Sequence, residues 1–313
     1  RMGALGACLA LFFGRILTAD GEPAAGLRVV VDWSHGSFAT LASDTLDLDR
    51  TGRFAIPARG CNSDSVAVSI VAAADARYYP TRVSIARSRL ADELKILVLP
   101  REWTIRRGRF AGTTVKVAPS DALRRTAGQA SFGRITHQHV VAWDASSLPV
   151  GVVLRHDLSP GLSARDSIAF WEAARDVEDA IGTALFRPTT DTTEHDRVFP
   201  IDVLLDPRIT ASGVTYVSWD RGGRLFEGTV RFRTSREIEL PSVVAHELLH
   251  ALGFGHTSAW PSAMQARDSG VRGMTVEDVA FAQLLMRLHE LQEDPLVVGG
   301  IEGAKGTDRQ LIP

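Results

Sequence analysis

The stretch HELLHALGFGH, residues 246–256, limits what this chain can become more than any other. His246 and His250 are four apart, so on a helix their side chains stand one above the other on one face. The surrounding run ELPSVVAHELLHAL is rich in good helix formers, and a helix is its natural reading. Leu248, Leu249 and Leu252 can then face a core while the two imidazoles face a cleft. Gly253 offers the left-handed stop that such helices use. A turn through residues 253–255 can swing His256 back toward the same point. Three neutral imidazoles meeting at one point make a zinc site with an open fourth position. Glu247 is placed to touch a water at that position rather than the metal. The chain has nine histidines in 313 residues, so three within eleven is not a matter of composition.

HExxHxxGxxH resembles the zinc signature of the metzincin metallopeptidases. Families of that clan also carry a methionine turn beneath the metal. In HTSAWPSAMQ, Met264 lies eight residues beyond His256, after turn-forming Pro261 and Ser262, a spacing similar to the matrixin branch. The metzincins with a tyrosine two residues past the methionine match less well, because position 266 is Ala. In MTVEDVAFAQLLMRLHE, Thr275 and Asp278 stand in capping-box spacing, and Val276, Val279, Ala280, Leu284 and Leu288 recur at helical spacing. Matrixin-like domains end on such a helix. The resemblance implies one catalytic zinc on His246, His250 and His256, Glu247 as general base, and peptide-bond hydrolysis.

The pattern from residue 147 to 290 suits an α+β domain of that kind, with a mixed twisted sheet, an active-site helix and a C-terminal helix. LPVGVVLRHD reads as a buried strand. LSARDSIAFWEAARDVEDAIG reads as a helix capped by Ser163 and Asp166, with Ile168, Trp171, Ala174, Val177 and Ile181 as its apolar stripe. PIDVLLDP is a further strand, and GVTYVSWDRGGRLFEGTVRFRT gives two more around DRGG. The strand just ahead of the zinc helix is expected at the sheet edge, so Gly228, Thr229, Val230 and Arg231 are candidate binders of an extended peptide. Vertebrate matrixins place a His- and Asp-rich loop before that edge. The corresponding stretch here has no His and only Asp220, so no second zinc is expected and a Ca2+ site stays open.

Residues 14–100 read as short strands separated by turns. ADGEP and the Arg50–Gly52 corner are turn chemistry between apolar runs. The expectation is an antiparallel β-sandwich. GRILTADGEPAAGLRVVV followed by DRTGRFAIP resembles the carboxypeptidase-regulatory-like modules of exported bacterial proteins, which implies a secreted or extracytoplasmic protein. Residues 101–146 form a connecting segment. Its His137 and His139 would share a strand face, but no third ligand lies near them in sequence.

The apolar run from Ala4 to Phe13 has the length of an export-signal core and is too short to span a membrane, so residues 1–13 are assigned to an export segment. Cys8 in LGAC could carry a lipid anchor. The alternative places Leu11, Phe13 and Ile16 on a first strand. Cys8 and Cys61 make no disulfide framework. Residues 291–313, with Gly, Pro and charge, read as a tail. A net charge near -2 gives no electrostatic case for nucleic acid or an anionic membrane as partner. The metzincin resemblance implies a protein or peptide substrate. Two other functions stay open. The zinc domain could be silent within a binding or adhesion protein, or it could cleave a non-protein amide.

Overall fold

The computed structural model describes residues 11–24, 26–35, 39–57, 65–71, 77–79, 81–86, 94–118, 123–124, 133–136, 139–190, 198–266, 270–291 and 296–298. Cys8, Cys61 and His137 lie outside the described residues, as does most of the 291–313 segment. The described residues within Arg1–Arg101 and Leu291–Glu302 form one compact unit; those within Glu102–Glu290 form another. The stretch 102–146 thus groups with the second unit rather than standing apart as a connector.

The first unit holds two four-stranded sheets. One contains β1 (Leu11–Thr18), β4 (Arg53–Pro57), β7 (Leu94–Val98) and the strand Leu296–Val298. The other runs β3 (Ala39–Asp47), β2 (Arg28–His35), β5 (Ser65–Val71), β6 (Thr81–Ala86), all antiparallel. Strand-period alternation explains β2, where Val29 and Val31 are buried and Arg28 is exposed. Ile16, Phe54 and Ile96 bury the first sheet's apolar side chains.

Three expectations change here. Residues 11–13, assigned to an export segment, are the first rungs of β1 and pair with β4. The module is not wholly antiparallel, because β7 joins β1 in parallel. Within the tail, Leu296–Val298 extends the first sheet alongside β7, its three apolar residues adding a strand where the flanking Gly and charge suggested none.

The second unit is built on a five-stranded sheet of order β14 (Phe186–Pro188), β13 (Val150–Leu154), β15 (Ile201–Leu205), β17 (Leu225–Phe232), β16 (Gly213–Trp219). All neighbours are parallel except β16, which runs antiparallel to β17 at the edge. Smaller pairings surround it: β8 (Glu102–Thr104) with β9 (Thr114–Lys116), and β10 (Leu123–Arg124), β11 (Gly133–Thr136) and β12 (His139–Val140) in one short sheet. The described residues of this unit include four α-helices: α1 (Ala164–Ile181), α2 (Ser235–Ile238), α3 (Pro241–Ala251) and α4 (Val276–Glu290). Helix α3 packs against β16, β17 and α1, while α4 packs against β8, β9 and β12.

The edge of this sheet is not where the sequence suggested. Gly228, Thr229, Val230 and Arg231 sit on β17, which is hydrogen-bonded to β15 on one side and β16 on the other. Their main-chain groups are therefore committed to the sheet. Arg231 also pairs with Asp206 at 3.1 Å. The reason is apolar content. β17 buries Leu225, Val230 and Phe232, whereas β16 buries only Thr215 fully. In a hairpin the more apolar arm takes the interior position, and the less apolar arm is left at the rim.

Helix α1 starts as its sequence implies. The Ser163 hydroxyl accepts from Asp166 N and the Asp166 carboxylate from Ser163 N, a complete capping box. Its buried face is rotated from the expected stripe, however. Phe170, Ala173, Ala174, Val177, Ala180 and Ile181 are buried, while Ile168 is 61% exposed and Trp171 half-buried. Ala174, Val177 and Ile181 of the expected stripe are kept, and Phe170 with Ala173 and Ala180 takes the place of Ile168 and Trp171.

Candidate functional site

Helix α3 opens on Pro241, in the first turn, where a missing N–H costs nothing. Val244, Ala245, Leu248, Leu249 and Ala251 are buried and fix the helix against the rest of the unit. That packing turns His246, Glu247 and His250 toward one cleft, which they line together with His256. The helix ends in a Schellman motif: Gly253 N donates to His250 O at 2.9 Å and Phe254 N to Leu249 O at 3.1 Å. Gly253 takes φ 98°, and a Cβ there would stand 2.8 Å from Val141 O. Only glycine meets both demands. Trp143 closes the same end by donating its indole N–H to Ala251 O at 2.8 Å.

The stop also sets the second ligand. Phe254 O lies 2.8 Å from His250 Nδ1, and Ala263 O lies 2.7 Å from His246 Nδ1. A carbonyl accepts only, so both Nδ1 atoms carry the proton and both Nε2 atoms keep a lone pair. The three Nε2 atoms of His246, His250 and His256 are 3.1–3.2 Å apart. Converging lone pairs repel unless a cation lies between them. Nitrogens about 2.0–2.1 Å from one tetrahedral ion stand roughly 3.3 Å apart. The donor set therefore fits a metal ion. Among the described residues this is the only group of three or more His, Cys, Asp or Glu side chains so arranged, and nothing comparable supports a calcium site.

Burial keeps these imidazoles neutral, which is the form that ligates. It pushes His250 well below the ordinary histidine range, with the neighbouring His246 and His256 adding to the effect. His256 is driven to about 4 by burial and then by the charges of His246 and Arg134. His246 is lowered by burial, against the opposing pull of its bond to Ala263 O and of Asp278.

Glu247 is 4% exposed. Its Oε2 accepts from the Thr215 hydroxyl at 2.6 Å, and that hydroxyl also lies 3.1 Å from Glu247 O. Burial raises the carboxyl to about 7, with the Thr215 bond pulling the other way. Gly213 closes over the carboxylate: a Cβ at 213 would fall 2.6 Å from Glu247 Cγ and 2.7 Å from Oε1. Close approach, not a special backbone angle, makes glycine necessary there.

Met264 is completely buried in the turn that follows His256. Thr257 N donates to Met264 O at 2.8 Å, which closes the loop. Asp278, at the start of α4, holds it from below. Its carboxylate accepts from Trp260 Nε1, the Ser262 hydroxyl, Ala263 N and Thr275 N. Ala263 thus connects Asp278 on one side to His246 on the other. Capping-box spacing identified Asp278 as a helix start; its hold on the turn was not visible in the sequence.

The cleft has a volume of about 490 Å³. Ala211–Thr215 of the edge strand and its approach form one wall, and Leu240, Val243, Ala263, Gln265, Ala266 and Val271 contribute to the remainder. Gly228–Arg231 do not line it, while Gly213 and Thr215, which no sequence pattern singled out, do. The signal that could have found them is the weaker apolar pattern of β16, which marks it as the rim strand.

No family model matches the chain, and no curated protein does. Among solved structures, it is similar to the GH20 exo beta-N-acetylglucosaminidase from Vibrio harveyi in complex with N-acetylglucosamine. That alignment has 8% identity, covers 70% of this chain and 32% of that one, and has a TM-score of 0.23. An inactive mutant of the same enzyme gives 8% identity, 80% and 34% coverage, and a TM-score of 0.25. The chain spans about a third of the length of that enzyme, and a likeness of this order carries no argument about fold or chemistry.

Proposed function

We propose that this chain is a zinc-dependent endopeptidase of the metzincin type, matrixin-like, acting outside the cytoplasm. On this reading the first unit is a carboxypeptidase-regulatory-like β-sandwich that accompanies the catalytic unit. The observation that carries the proposal is the meeting of three Nε2 atoms, 3.1–3.2 Å apart, beside a buried glutamate in one cleft. Met264, buried in the turn whose Ala263 carbonyl steadies His246, corresponds to the methionine turn of that clan. Bound by His246, His250 and His256, zinc would supply Lewis acidity, polarising a carbonyl and bringing the pKa of water to about 7.

The protein groups do the rest. Glu247 removes a proton from the attacking water and returns it to the leaving amine. In the metal-free protein burial raises this carboxyl to about 7, so its surroundings do not lock it in the ionised form. Among the described residues the rim strand β16 has one side unpaired, and it lines the cleft, so an extended peptide can add to it by main-chain hydrogen bonds. No helix among the described residues is long and apolar enough to cross a membrane.

The test is a digest. A broad fluorogenic peptide library should be cleaved, cleavage should stop on chelation, and zinc should restore it. Turnover of non-protein amides with no peptide cleavage would move the substrate class away from peptides. Zinc binding with neither activity would favour a silent binding protein.

A further inference from the structure

We propose that Thr215 is a positioning residue for Glu247: its hydroxyl holds one carboxylate oxygen so that the other is presented to the cleft. The inference rests on the peptidase reading above. Thr215 is completely buried, and a buried hydroxyl needs a partner. Among the described residues both acceptors within its reach belong to Glu247, namely Oε2 at 2.6 Å and the main-chain oxygen at 3.1 Å. A hydrogen bond to an ionised carboxylate is among the stronger kinds, and 2.6 Å is the length expected of one.

The strand supplies the rigidity. Thr215 pairs with Val230 of the interior strand, so its backbone is fixed by the sheet. A β-branched side chain has few χ1 choices, and the hydroxyl direction follows from the backbone. Gly213 lies two residues earlier, on the same face of the strand. It leaves room for the carboxylate that any larger residue would fill. The strand therefore offers Glu247 a seat at 213 and a donor at 215.

The terminal torsion of a glutamate is broad, so an untethered carboxylate samples many orientations. The tether removes that freedom. Oε2 is committed to the strand and Oε1 is left for proton transfer. Misplacing a reacting group by about 1 Å can cost about a hundredfold in rate.

The experiment compares Thr215→Val and Thr215→Ser with the wild type, as full-length zinc-loaded protein. Thr215→Val should lower kcat about 10- to 100-fold with KM changed less than about twofold and zinc content intact. Thr215→Ser, which keeps the hydroxyl, should restore kcat to within about threefold of the wild type. Undiminished kcat in Thr215→Val would overturn the proposal. So would a serine variant as impaired as the valine one, or zinc loss that accounts for the defect. A second readout is independent of activity and of whether the valine variant folds. In the wild type the Thr215 hydroxyl proton should be a slowly exchanging NMR signal that moves in Glu247→Ala. A signal absent from the wild type, or unmoved in Glu247→Ala, would overturn the proposal. If the wild type cleaves no peptide, the peptidase reading fails, and this signal still decides the Thr215–Glu247 contact.

Discussion

The two units differ most in what they bury. Among the residues whose side chains are described, Thr18 is the first unit's only buried polar one, while the second unit buries Asp166, Asp206, Thr215, Glu237, Glu247, His250, Thr257, Ser262, Asp278, Gln283 and His289. A buried polar group is costly unless it is hydrogen-bonded, so such a concentration needs a reason. Some of these residues serve the architecture. Asp166 and Glu237 complete capping boxes. Gln283 joins α4 to Arg106, Arg107 and Ile181. His289 lies against Val140 O and Asp144. Asp206 pairs with Arg208 and Arg231. The remaining six, Thr215, Glu247, His250, Thr257, Ser262 and Asp278, gather around one cleft and the turn beside it. The difference teaches that the first unit is organised by apolar alternation and the second around a polar centre.

That contrast can be broken by substitution. The largest effect is expected from His250→Ala, which removes one of the three proposed zinc ligands and should abolish stoichiometric zinc by elemental analysis. Retained zinc would remove the centre from the account. Asp278→Ala comes next. It strands the donors of Trp260, Ser262, Ala263 and Thr275, and should cost about 3–5 kcal/mol in denaturant unfolding, as breaking a buried charged network does. Zinc affinity should fall with it, because Ala263 steadies His246. Phe54→Ala should also cost about 3–5 kcal/mol, in the first unit, and leave the zinc content unchanged. Zinc lost from that variant would show that the two regions are not separable in this way.

The smallest effect concerns pH in the metal-free protein. Glu247 is raised to about 7, so its stabilising contribution is full below its unfolded value of about 4.5 and is lost as pH rises through 7. Glu247→Gln removes that loss. The stability of the variant relative to wild type should therefore climb between about pH 4.5 and 7, by no more than about 3 kcal/mol. The histidines work in the opposite direction. His256 is lowered to about 4, so its contribution is present above about 6.5 and lost as pH falls toward 4, in variant and wild type alike. A flat difference between the two proteins would contradict the burial argument for Glu247.

What could be read in the sequence was local. The spacing of His246 and His250, the stop at Gly253 and the caps at Ser163 and Thr275 depend on residues within a turn or two of each other. The return of His256 was legible because the glycines that permit it are adjacent. Thr234 and Glu237 carry capping-box spacing as well, and the structure completes that box at the start of α2. What could not be read was pairing between distant segments. The order of β16 and β17 depends on which arm β15 accepts, and the only hint inside the strands is the weaker apolar pattern of β16. Thr215 and Gly213 acquire their roles only through Glu247, more than thirty residues away. Asp278 looked like a cap because that is its local partner; its hold on the 260–263 turn comes from the tertiary fold. On α1, Ala174, Val177 and Ile181 are buried as read, while Phe170, Ala173 and Ala180 replace Ile168 and Trp171 because the neighbouring elements select that face.

The most direct test of the central claim is a paired measurement of zinc stoichiometry and peptide turnover in the wild type and Glu247→Ala. The account predicts one zinc per chain in both proteins and turnover at least about a hundredfold lower in the variant. Comparable turnover in the two, or a wild type that binds no zinc, would contradict it.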